Sequence, residues 1–138
     1  MGSNIPRNAG TGGAAMSENI APGNIGLSVE MHRYLSNLVN GNEPYDDNPF
    51  ESIMGAFRFA FALGYNNGRT KKVEGKRMDI SVRGFVAKDY EVLIGVECKE
   101  KGKSLGGLIN EYAEAGCHIM SEHQASGGLI LDLLSIEP

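Results

Sequence analysis

The sequence predicts an α+β domain, and three observations carry the prediction. Leu27, Met31, Tyr34, Leu35 and Leu38 recur at i, i+4, i+7, i+8 and i+11, the period of one helix face. A second run, Phe50 to Leu63, is apolar almost all round, which marks a helix central to a core. The segment Tyr90 to Cys98 bunches Val92, Leu93, Ile94 and Val96, the pattern of a strand covered on both faces. The chain has 138 residues, 41% hydrophobic and 22% charged, enough for one small domain with a real core. No apolar run reaches the roughly 18 residues of a membrane-spanning helix. Two cysteines, Cys98 and Cys117, are too few for a disulfide scaffold and point to a reducing, cytoplasmic compartment.

Residues 1–23 are rich in Gly, Ala and Asn without hydrophobic period, and read as an expression leader or flexible tail with Met16 as the natural start. The domain is expected over 24–138. Asn24 to Ser28 is extended, and Ser28 caps a helix running to about Val39, where Asn40-Gly41 stops it. An acidic linker follows, Asn42 to Asp47. Asn48-Pro49-Phe50-Glu51 then supplies a cap, a first-position proline and a capping-box acid for the second helix. Gly64 with Tyr65 suits a Schellman stop at its end. Met78 to Val82 and Tyr90 to Cys98 are expected to pair as an antiparallel hairpin turning around Gly84 to Asp89. Ser104 caps a third helix, with Leu105, Leu108, Ile109, Tyr112, Gly116, Ile119 and Met120 inward and Glu111, Glu114, His118 and Glu122 toward water. Gly127-Gly128 opens a last segment, Leu129 to Ile136, that is strand or helix.

Charge is uneven along the chain. Arg69 to Lys103 carries 10 basic and 6 acidic residues in a protein of net charge −4. The loop Asn66 to Arg77 is its densest part, with Arg69, Lys71, Lys72, Lys76 and Arg77 against Glu74 alone. A basic patch on an acidic protein marks a site for a polyanion, with Lys101 and Lys103 as extensions. A solvated loop that keeps the chain soluble is the plainer account of the same charges.

A second constellation is Asp79 with Glu97-Cys98-Lys99. On paired strands these would present two carboxylates and a lysine on one face, able to hold Mg²⁺ and orient a water. That arrangement resembles the PD-(D/E)xK nucleases, with Glu51 as a further acid. No cofactor is expected outside this Mg²⁺-dependent alternative. His118 and His123 are five apart, on different faces of a helix, and lack a ligand-spaced pair, so no metal site is expected. Glu114, four residues before His118, suits a solvated pair. Cys117 reads as an inert thiol.

The order strand, helix, helix at the N-terminus resembles the ribbon–helix–helix DNA-binding unit, but the outward strand positions Asn24, Gly26 and Ser28 are poor in charge. Phe59-Ala60-Phe61-Ala62-Leu63-Gly64-Tyr65-Asn66-Asn67-Gly68-Arg69 resembles the A-x-x-L-G-x-x-x-G-R segment of small DNA-phosphorothioation-associated proteins, the dnd-associated protein 4 family. Glu111-Tyr112-Ala113-Glu114-Ala115-Gly116 is similar to their E-Y-A-x-x-G helix. The resemblance spans about Asn24 to Leu134. It implies a bacterial accessory protein beside a DNA-modification and defence system, without catalytic residues to carry over. The expected function is therefore non-catalytic binding of nucleic acid or of a protein of a defence complex, through Arg69, Lys71, Lys72, Lys76 and Arg77. The Mg²⁺-dependent nuclease using Asp79, Glu97 and Lys99 is the alternative, and a purely structural, oligomerising protein is a further one. The Phe and Met content of the second helix fits a homo-oligomer.

Overall fold

The computed structural model describes residues 25–41, 50–81 and 87–134. The leader, Asn24, the acidic linker, Asn48-Pro49, the segment 82–86 and residues 135–138 lie outside the described residues. Its elements in order are β1 (Gly26–Ser28), α1 (Val29–Val39), α2 (Ile53–Asn66), β2 (Arg77–Asp79), α3 (Ala87–Lys101), α4 (Leu105–Ala125) and α5 (Ile130–Leu134). Helices and a two-stranded antiparallel sheet make an α+β fold, as the sequence predicts.

The long helix α4 is the axis of the core. Leu108, Ile109, Ala113, Cys117 and Met120 are fully buried along it, and α2 forms its principal partner. Glycine sets how close the two helices come. A Cβ on Gly116 would overlap the Ala60 carbonyl of α2, and one on Gly64 would overlap the Tyr112 carbonyl of α4. The stretches Ala60–Gly64 and Tyr112–Gly116 are thus the two sides of one helix–helix contact. From α1, Met31, Tyr34, Leu35 and Leu38 close the core as their stripe predicts. Phe57 and Phe61 of α2 are buried inside the same core, so much of that helix's apolar excess is used within the chain.

Caps set the boundaries. Ser28 and Ser104 accept from the N–H of Met31 (3.2 Å) and Gly107 (3.0 Å), as expected. The start of α2 differs: Phe50 and Glu51 precede the helix, and Ser52 in extended conformation caps it, accepting from Gly55 N–H at 3.0 Å. Its end differs too. Gly64 is helical, and the Schellman turn forms four residues later, where Gly68 has φ +63°. There Gly68 N–H donates to Tyr65 O and Arg69 N–H to Gly64 O.

The hairpin is the main correction. The segment 90–98 is not a strand but part of α3, and β2 pairs instead with β1, in the register Gly26↔Asp79, Leu27↔Met78, Ser28↔Arg77. Ala87, Tyr90, Ile94 and Cys98 recur at i, i+3, i+7 and i+11 and pack inward, whereas Val92, Leu93 and Val96 are exposed. The bunched apolar residues are therefore two faces of a helix. Gly26 permits the β1–β2 approach, because a Cβ there would overlap the Met78 carbonyl.

The last segment resolves as the helix α5. Gly127 (φ +95°) ends α4 in a second Schellman turn, and Ile130 is fully buried. Asp132 accepts from Leu129 N–H at 2.9 Å and meets His123 Nε2 at 3.0 Å. The Leu129 hydrogen bond, then His123, hold its carboxyl below the usual 3.8. A depressed carboxyl stabilises above its unfolded pKa and loses that contribution as pH falls through the folded value. An NMR titration of the Leu129 amide is expected to show a midpoint below 3.8. Asp132→Asn should remove that transition and speed amide exchange at residue 129.

Candidate functional site

The basic loop connects α2 to β2 and is anchored at both ends. The Gly68 turn fixes its start, Lys71 N–H donates to Glu111 O of α4 at 3.0 Å, and the strand pairing of Arg77 fixes its end. Between these anchors Arg69, Lys71, Lys72 and Lys76 are exposed, and none has a carboxylate within ion-pair distance among the described residues. Arg77 is also exposed but engages Asp79 at 3.2 Å. The proposed extensions are spoken for: Lys101 pairs with Glu97 at 2.6 Å, and Lys103 grips both oxygens of Glu111 at 2.6 and 2.8 Å. Four cations on a braced backbone are thus presented to solvent. Such a cluster of like charge raises the local potential and attracts anions.

The residues of the nuclease constellation are placed differently from the expectation. Glu97 and Lys99 lie on a helix, where a spacing of two turns side chains about 200° apart. Glu97 accepts from Tyr112 OH at 2.6 Å and from Lys101. Those two hydrogen bonds, Lys101 foremost, hold its carboxyl below the usual range. Burial and the Glu97 bond raise the Tyr112 phenol. Asp79 faces Arg77 on the edge of the small sheet, Lys99 is exposed, and Glu51 precedes α2. This donor set does not fit a Mg²⁺ site, since both carboxylates are engaged by cations and the strand that would juxtapose them is absent. Among the described residues no group of three His, Cys, Asp or Glu side chains is gathered for a metal. Both thiols are buried, and burial raises their pKa values.

Glu114 is the second correction. It is buried, at 2% exposure, rather than on the wet face. Its carboxylate accepts from Ser28 N–H at 3.0 Å and Ser28 OH at 2.6 Å, with His118 Nε2 at 3.4 Å. One turn earlier Asn110 Oδ1 accepts from Gly26 N–H at 3.0 Å. A polar stripe on α4 therefore binds β1 from below. Strand β1 is occupied by α4 and β2 of its own chain, so it does not form the outward-facing ribbon of a ribbon–helix–helix unit.

The sequence does not reveal a cleft of about 660 Å³ between α2 and α3. Phe61, Tyr65, Tyr90 and Leu93 supply its apolar surface, with Arg58 and Asp89 as polar groups. Its rings form a network: Tyr90 meets Phe61 edge-on at 4.8 Å, Tyr65 stacks on Phe61 at 5.9 Å, and Tyr112 backs both. Arg58 donates to Tyr90, whose phenol is raised chiefly by burial. Leu93 remains 51% exposed at the rim.

No family model, no curated protein and no solved structure matches this chain. No helix among the described residues is long and apolar enough to cross a membrane.

Proposed function

We propose that this protein is a small, non-catalytic accessory factor that binds nucleic-acid phosphates through the loop 69–77. The observation that carries the reading is the set of four exposed cations, Arg69, Lys71, Lys72 and Lys76, without carboxylate partners among the described residues and held between two backbone anchors. The resemblance of the two motifs meeting at Gly64 and Gly116 supports a place beside a bacterial DNA-modification and defence system, in the cytoplasm. In that setting the protein would deliver or retain a partner on nucleic acid rather than cut it.

The test is fluorescence anisotropy with labelled DNA across a salt series. Four phosphate contacts give a slope of log K against log salt of about −3, or a loss of about 60-fold over a roughly fourfold rise in salt. Binding without that dependence, or no binding at low salt, overturns the reading. Mg²⁺ is expected to act only as a competing counterion, and a gel of the titrated DNA should show it intact.

A further inference from the structure

We propose that the cleft between α2 and α3 receives an unpaired nucleobase, so that the preferred ligand is single-stranded nucleic acid with its phosphates on the adjoining basic loop. The inference rests on the phosphate-binding reading of that loop and adds the class of strand it takes.

Three observations converge on this occupant. The first is the lining. Tyr65 and Tyr90, both half-buried, present aromatic surface backed by the buried Phe61, and Leu93 adds an apolar edge. Arg58 and Asp89 put a donor and an acceptor in the same lining, which suits the edge of a planar heterocycle better than a plain hydrocarbon. The second is size. At about 660 Å³ the cleft falls in the range of small-molecule sites and exceeds what packing defects leave. The third is position. Asn66 is both a lining residue and the last residue of α2, and the loop's first cation, Arg69, follows three residues later. Three residues span at most about 11 Å. The hydrogen bond from Lys71 N–H to Glu111 O keeps the loop beside Tyr112, whose ring lies 5.6 Å from Tyr65.

Aromatic surface beside a cationic track is the physical basis of single-strand binding: rings stack with bases, and cations follow the backbone. Bases inside a duplex are stacked on both faces and cannot enter such a cleft without extrusion. The duplex would therefore use the loop alone, and the single strand would use loop and cleft together.

The test compares three ligands of equal length: a single-stranded DNA, the same backbone with abasic sites and therefore the same charge, and a duplex. Wild-type protein is expected to bind the base-bearing strand about tenfold more tightly than the abasic one, the worth of one stacked base. Ala62 also lines the cleft from α2, so Ala62→Leu should fill it, erase that difference and leave abasic and duplex affinities unchanged. Circular dichroism confirms that the variant folds, and the wild-type comparison stands even if it does not. Equal, salt-sensitive affinity for base-bearing and abasic strands would overturn the cleft proposal while leaving the loop reading intact. A base preference that survives in folded Ala62→Leu would also overturn it. Absence of binding to all three ligands would overturn the loop reading, and the cleft proposal with it.

Discussion

Replacing Gly116 with alanine is expected to destabilise the protein by about 3 kcal/mol, although alanine is the better helix former by about 1 kcal/mol. The sign follows from what the new methyl would meet. At Gly116 it overlaps the Ala60 carbonyl, which is backbone of a buried helix and cannot rotate aside. Helix α2 must then move off α4 along the principal interface of the core. Gly64→Ala makes the reciprocal clash on the Tyr112 carbonyl and should cost a similar amount. Once the helices are parted by one substitution the second finds more room, so the double variant is expected to lose less than the sum. Thermal unfolding followed by circular dichroism reads all three. A raised melting temperature in Gly116→Ala would mean that helix propensity governs the site and that the close approach is not tight.

The second large effect is expected at Glu114. Glu114→Ala removes an acceptor that serves both the amide and the hydroxyl of Ser28, at a site 2% exposed. Leaving a donor without an acceptor costs about 1–3 kcal/mol when it is buried, and Ser28 is half-buried, so a loss of about 2–3 kcal/mol is expected for the pair. Ser28 also caps α1 by accepting from Met31 N–H, so the first turn of α1 should loosen together with β1. Glu114→Gln keeps one acceptor and is expected to lose about half as much. A double-mutant cycle with Ser28→Ala checks the coupling. If the two losses simply add, the carboxylate does not act through Ser28, and the account of how β1 is held is wrong.

How legible this molecule is in its sequence depends on the range of the interactions involved. The α1 stripe and the Ser28 and Ser104 caps are local patterns, and they read correctly. The start of α2 lies at Ile53 rather than Phe50, because Ser52 offers a cap that the reading from the proline side passes over. Helix α3 misleads because its exposed face carries Val92, Leu93 and Val96, which look like a buried strand. The helical spacing of Ala87, Tyr90, Ile94 and Cys98 is the signal that distinguishes the two. The partner of β2 is not legible, since it pairs with a strand about fifty residues earlier rather than with its neighbour. Glu114 is misread for the same reason: its acceptors are used by Ser28, 86 residues away. The loop is legible as a charge cluster. The cleft is not, because one wall comes from α3, which reads as a strand.

If the loop 69–77 holds phosphates, charge reversal of its adjacent lysines, Lys71 and Lys72, should weaken binding sharply. Lys71→Glu with Lys72→Glu should be measured beside wild type by anisotropy on the same DNA across the salt series. Both side chains are exposed and unpaired among the described residues, so the melting temperature should not change. The double variant is expected to lose more than about tenfold in affinity at low salt and to show a salt slope shallower by about two. A double variant that binds as tightly as wild type, with the same slope, would contradict phosphate binding by this loop.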